Sequence, residues 1–282
     1  MKTFKKAAAV LAAVTAVAGL PITTATAAAA AAPGLTCNST ADVFGVEADG
    51  RLFVYRHLAP STGMADWSSK TYIGSGWAGG YTMASGDGVF FHIDYATDTL
   101  RRYRWNGMGW DSFGGWQYQV IGHGFAMFAP HLTVDSTGHF FGIDGAGYMR
   151  YYAWDANTQG WETGTEGGAY IGNGWSPTYA IVAGDDGVVY RRTWDNDLYR
   201  YRFDDSNGTW PETDAIGEGW WFDTNVSSGG GALYAVGFNG NLYWYHYDSS
   251  GTAWDNSGLP QWIGQGWGDL QQVLIDPSTC TD

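Results

Sequence analysis

Five aromatic residues, Trp77, Phe125, Trp175, Trp220 and Trp267, each close the motif Ile-Gly-x-Gly-Trp, with Phe replacing Trp in the second copy. The x positions, Ser75, His123, Asn173, Glu218 and Gln265, are all polar. A flat apolar plate beside hydrogen-bonding groups, carried on a glycine loop whose backbone N–H groups a ligand can approach, is equipped for non-covalent recognition. A second recurrent set follows a repeated Tyr and reads Arg56, Arg104, Ala153, Arg202 and His246, with Arg102 and Arg200 two positions earlier on the same face. Charged groups between packed strands are costly unless paired, so these predict cation–π stacking, ion pairs with the abundant Asp, or ligand contacts. The aromatic set has two readings as well. A Trp at one place in every repeat can weld neighbouring repeats together, can meet a ligand, or can do both.

Covalent chemistry has little to work with. There is no Gly-x-Ser-x-Gly elbow, no His-Glu-x-x-His and no Ser-x-Asp-x-Gly-x-x-Thr-Trp box. The histidines at 57, 92, 123, 131, 139 and 246 lack metal-ligand spacing. Many acidic residues, among them Asp66, Asp111, Asp155, Asp204 and Asp255, sit in segments that read as turns. No catalytic residue, metal site or cofactor is therefore expected.

The motifs start at Ile73, Ile121, Ile171, Ile216 and Ile263, giving intervals of 48, 50, 45 and 47 residues. Fixed self-similarity at such a period marks propellers and solenoids. Two further landmarks keep step with it: an apolar residue three positions before a Tyr, as in Leu52 and Tyr55, and a lone Trp after a polar turn, at Trp67, Trp110, Trp161, Trp210 and Trp254. Between landmarks run short apolar stretches that open on Phe44, Phe91, Phe141, Tyr190 and Tyr234 and are punctuated by Gly, Asp and Asn. Each repeat thus predicts four short strands, typified by Ala180 to Ala183, Val188 to Arg191, Leu198 to Phe203 and a last one ending at Ile-Gly. No segment after the N-terminal stretch has helical periodicity, and 42 glycines oppose helix. The expected fold class is all-β, a five-bladed β-propeller of four-stranded antiparallel blades.

Both ends of the chain predict how the ring closes. Gln271 to Ile275 matches the first strand of a blade and Ala41 to Val46 matches the second, so one blade is shared between the N- and C-termini. The two cysteines, Cys37 and Cys280, fall at that seam and predict a disulfide. Residues 33–282 then form a single domain.

Residues 1–32 read as a secretory signal peptide, with Lys2, Lys5 and Lys6 ahead of an apolar run from Ala7 to Leu20 and small residues at Ala25-Thr26-Ala27. Its removal leaves eleven basic residues against 28 acidic ones, a net charge of −17. Such a surface repels nucleic acid and anionic membranes. A secreted, extracellular monomer is expected.

Period, motif order and repeat number together resemble the tachylectin-2 family of five-bladed propeller lectins, over about Asp42 to Ile275. This chain has one glycine before the motif Trp where the family often has two. The resemblance implies binding of N-acetylglucosamine or N-acetylgalactosamine at up to five sites between blades, and hence glycans of chitin or cell-wall type. In propeller geometry the motif loops meet the turns at Asp49, Asp98, Ala146, Asn196 and Asn239. The candidate ligand-binding set read from these residues is Trp77, Phe125, Trp175, Trp220, Trp267, Arg56, Arg104, Arg202, His246, Asn173 and Gln265. Two alternatives make distinct demands. A polysaccharide hydrolase requires a carboxylate pair about 5 to 9.5 Å apart in the central cavity, and a protein-binding adhesin or inhibitor requires one large apolar patch on a single face.

Overall fold

The computed structural model describes residues 31–32, 34–250 and 252–282, so the expected signal peptide lies outside the described residues but for Ala31 and Ala32. The fold is an all-β propeller of antiparallel four-stranded blades. Among the described residues the strands form five sheets, and the helical segments are short 3₁₀ turns.

The first blade runs outward from Leu270–Ile275 through Ala41–Glu47 and Leu52–His57 to Thr71–Gly74. Its innermost strand comes from the C-terminus and pairs Val43 with Ile275 and Phe44 with Leu274, as the motif order predicts. The second blade is Gly80–Ala84, Val89–Asp94, Thr99–Arg104 and Gln119–His123. The third is Leu132–Val134, His139–Ile143, Met149–Asp155 and Ala169–Gly172. The fourth is Thr178–Ala183, Val188–Thr193, Leu198–Asp204 and Thr209–Gly217. The fifth is Thr224–Gly229, Ala232–Val236, Asn241–Asp248 and Gln261–Gln265.

Two sheets exceed the expected four strands. The third gains the short strand Gly160–Trp161 in its outer hairpin. The fifth becomes seven-stranded, because Ala253–Trp254 pairs in its outer hairpin, Cys280–Thr281 adds in parallel at Gly229 and Thr36–Cys37 pairs with it in turn. That last pairing carries the Cys37–Cys280 disulfide, which spans 243 residues of sequence. The bridge therefore joins the ends of the chain at the blade next to the shared one.

The apolar core is divided among the junctions between blades. Phe44, Leu52, Ile73 and Trp77 of the first blade pack with Phe90 of the second. Equivalent clusters join second to third through Phe91 and Phe140, third to fourth through Phe141 and Phe203, fourth to fifth through Tyr190 and Leu233, and fifth to first through Tyr234 and Val43. Each blade buries both faces, which is why aromatics reach 17% while charged residues stop at 15%. The turn between second and third strands needs a left-handed residue in every blade. Gly50, Gly147 and Gly240 supply it at φ 81°, 79° and 75°, and Asp98 and Asn196 supply it at φ 50° and 66°.

Candidate functional site

Each motif loop is fixed from three sides. Its isoleucine ends the outermost strand and points into the junction. The first motif glycine lies under the folded-back aromatic of its own loop: a Cβ on Gly264 would sit 2.8 Å from Trp267 Nε1, and one on Gly122 would sit 2.7 Å from Phe125 Cε2. The second glycine turns the chain at positive φ, from 66° at Gly219 to 91° at Gly76. The backbone N–H of the motif Trp then donates to the turn between the second and third strands of the same blade. Trp77 donates to Gly50, Trp175 to Gly147, Trp220 to Asn196 and Trp267 to Gly240, while in the second blade Gly124 donates to Asp98. The structure thus brings the motif loops and these turns to one face of the propeller, with the polar x residues exposed beside them.

The loop aromatics themselves sit inside the wedge. Trp77, Phe125, Trp175, Trp220 and Trp267 are only 4 to 7% exposed. Each packs on a strand Tyr of the next blade, at ring distances of 4.5 to 5.0 Å: Tyr103, Tyr152, Tyr201, Tyr245 and Tyr55 in that order. Each also lies 5.2 to 5.8 Å from that blade's hairpin Trp. The hairpin Trp in turn donates Nε1 to the motif Ile carbonyl of the preceding blade. The bonds are Trp110 to Ile73 at 2.6 Å, Trp161 to Ile121 and Trp210 to Ile171 at 2.8 Å, Trp67 to Ile263 at 2.6 Å, and Trp254 to Ile216.

The cationic set is placed elsewhere. Arg56, Arg104, Arg202 and His246 come four residues after the apolar landmark of their strand, about 13 Å along it and away from the motif face. Each meets an acid: Arg56 with Asp42 at 3.1 Å, Arg104 with Asp111 at 3.4 Å, Arg202 with Asp186 at 2.7 Å, and His246 with Asp255 at 2.8 Å. Ala153, which interrupts the set, is fully buried.

On the motif side, sequence reasoning missed the residue before each isoleucine. Tyr72, Tyr170 and Trp262 are 55, 54 and 52% exposed, large apolar rings on the outer surface of the first, third and fifth blades. Strand alternation held the signal, because a buried Ile forces its neighbour outward. In the third blade Asn173 Nδ2 donates to Tyr170 Oη at 3.1 Å. The Arg150 guanidinium stands about 6 Å from the rings of both Tyr148 and Tyr170 and is held by Asp144 at 3.0 Å. In the fifth blade Trp262 is paired in register with Tyr243, and Gln265 with Asn241. Asn239 and Asn241 both donate to the Tyr243 hydroxyl, which lowers its pKa. The first blade sets Tyr72 5.7 Å from Phe53, with Lys70 4.3 Å over the Phe53 ring. The second offers Val120 and the fourth Ala215 at this position.

The innermost strands enclose a central cavity of about 460 Å³, lined in part by His131, Thr133, Tyr179 and Gln272. Among the described residues Asp223 is the one carboxylate in that lining.

The motif loops and turns thus recur around an all-β propeller, with exposed rings beside three of them. The chain belongs to the Tachylectin family, whose profile matches residues 45–272. Among curated proteins none matches the sequence. Solved structures of similar shape include the SapL1 lectin in complex with alpha methyl fucoside, at 18% identity and a TM-score of 0.43, covering 81% of this chain and 84% of that one. A protein from Lactobacillus plantarum has 14% identity and a TM-score of 0.41, covering 83% and 71%. A luciferin-regenerating enzyme has 10% identity and a TM-score of 0.36, covering 86% and 78%. Likenesses this remote carry nothing about ligand or reaction.

Proposed function

We propose that this protein is a secreted lectin of five blades closed into a ring, binding N-acetylated amino sugars at up to five repeated sites on the motif face. The observation that carries the reading is the pairing of an exposed ring with a motif amide in the third blade, Tyr170 with Asn173, on a loop that recurs in every blade. An aromatic plate takes the C–H face of a pyranose, and the amide and exposed loop N–H groups take its hydroxyls and acetamido group. Asn173 and Gln265 contact sugar directly in this reading. Trp77, Phe125, Trp175, Trp220 and Trp267 form the floor that holds each loop, and Arg56, Arg104, Arg202 and His246 shape the opposite rim through their acids. The ring closure is supported by the five core clusters, each shared by two neighbouring blades.

Individual sites of this kind are shallow, so avidity comes from several engaging one glycan-dense surface such as chitin or a cell wall. The hydrolase alternative calls for two carboxylates in the central cavity, and Asp223 alone supports it poorly. Secretion is supported by the disulfide and by the sequence of residues 1–32. Among the described residues no helix is long and apolar enough to cross a membrane.

Isothermal titration with N-acetylglucosamine and N-acetylgalactosamine, together with retention on chitin, tests the proposal. Binding that weakens about tenfold at the altered blade in Tyr170→Ala or Trp262→Ala is the expected result. Absence of heat with both sugars and no retention on chitin would sink it.

A further inference from the structure

The junction between the second and third blades holds a pocket of about 410 Å³, on the side away from the motif loops. Arg102, Arg104, Phe113 and Gln119 line it from the second blade, Trp154 and Gln159 from the third. Its size suits a monosaccharide.

Arg102 sets this pocket apart. The equivalent residue of the fourth blade, Arg200, is 3% exposed and ion-paired with Glu212, and it stands across from Asp214 in register. Arg102 stands across from Gln119, which is neutral. Among the described residues no carboxylate pairs with Arg102, and its guanidinium lies 5.8 Å from the Phe113 ring. Arg104, the neighbouring cation, is engaged by Asp111, which Asn106 also holds. Burial pushes the pKa of Arg102 down and the Arg104 charge adds to the shift, with Asp111 opposing. A half-buried charge without a partner is costly, and an incoming anion removes that cost. Trp154 lines the pocket from the third blade and gives it an aromatic wall.

We propose that this pocket binds a hexuronic acid, its carboxylate on the Arg102 guanidinium. The planar fork of Arg takes a carboxylate in two parallel hydrogen bonds. Phe113 faces the apolar side of the ring, and Gln119 and Gln159 take ring hydroxyls. Two carboxylates also line the pocket: Asp111, which is held by Arg104 and Asn106, and Asp87, which sits on the exposed turn between the first two strands of its blade. The inference rests on the carbohydrate-binding reading of the chain but concerns one junction, because no other blade combines an Arg at this position with a neutral partner: the equivalents are Val54, Tyr151, Arg200 and Trp244.

The test is isothermal titration of the full chain with methyl β-D-glucuronide, with methyl β-D-glucoside as the uncharged control. The expected result is a single site for the glucuronide, with the glucoside at least about tenfold weaker. Arg102→Gln loses the site, and raised salt weakens it. Gln119→Glu supplies the carboxylate that Arg200 has in Glu212; it is expected to abolish glucuronide binding while the melting temperature is retained or raised. Equal binding of the two sugars, no heat with glucuronide, or unchanged affinity in Gln119→Glu would each overturn the proposal. Titration of the unaltered chain with N-acetylglucosamine as well as the glucuronide separates the two readings. Amino-sugar binding with no glucuronide site refutes this inference alone, and a glucuronide site without amino-sugar binding refutes the repeated-site proposal alone.

Discussion

The indole Nε1 of Trp110, in the second blade, donates to the carbonyl of Ile73, in the first, across 2.6 Å. Two segments 37 residues apart are locked by one bond, and the same bond recurs at all five junctions. It satisfies a motif carbonyl at a buried boundary and orients the indole so that the loop aromatic can pack on it.

Removing that donor while keeping the ring isolates its contribution. Trp110→Phe is expected to cost about 1 kcal/mol, and Trp110→Ala about 3 to 5 kcal/mol because the wedge around Trp77 and Phe90 loses its filling as well. Urea denaturation of the two variants measures both. Equal losses would show that the hydrogen bond contributes nothing beyond packing.

The two motif glycines are required for different reasons, and alanine tells them apart. In Gly264→Ala the added methyl collides with Trp267, so the ring must move and the junction loosens. In Gly266→Ala there is open space around the methyl, but the residue is held at φ 84°, a cost of about 1 kcal/mol. Near-ultraviolet circular dichroism is expected to change for Gly264→Ala and to be preserved for Gly266→Ala, while thermal melts show both losses.

Acid destabilises this fold in a definable window. His92 is 3% exposed with Nδ1 2.9 Å from Thr82 Oγ1, and burial pushes its pKa from 6.5 down to about 4. The folded state therefore binds fewer protons than the unfolded one between these values. The stability gained from neutral His92 is complete above about pH 6.5 and is lost as pH falls towards about 4, roughly 3 kcal/mol in all. His57, buried between Tyr234 and Met64, acts in the same direction. His139 acts oppositely: burial lowers its pKa, the Asp135 carboxylate outweighs this, and the net raised value gives a contribution lost as pH rises. Melting temperature is expected to fall between pH 6.5 and 4, and His92→Gln is expected to flatten that profile.

Reduction of the Cys37–Cys280 bridge releases a loop closure of 243 residues. The chain-entropy model gives about 5 kcal/mol for a loop so long, an upper figure where the unfolded chain keeps structure. Cys280→Ser is expected to lower the denaturant midpoint with the native spectrum retained at low temperature. A midpoint within error of the parent would show that the terminal strand pairing alone holds the seam.

Much of the architecture was legible because it is local and repeated. The interval between motifs, the positions of the hairpin Trp residues, the strand shared by the two termini and the cysteine pairing all follow from residues that recur at one spacing or sit at one seam. Each repeat buries too little apolar surface to stand alone, so repetition itself calls for packed neighbouring blades. The polar character of the motif loops also marked the exposed face.

What the sequence could not separate was which member of a recurrent set faces solvent. Trp175 and Tyr170 are both aromatics of one loop region, yet the first fills the wedge and the second stands in water, because strand alternation and the neighbouring blade together fix the direction of each ring. The recurrent Arg residues looked alike as well. Tertiary structure gave Arg200 its Glu212 and left Arg102 opposite Gln119, since register across two strands decides which charges are matched. Composition and spacing determined the repeated blades and the polar loops on their exposed face; only packing between blades decided which side chains fill the junctions and which stand exposed.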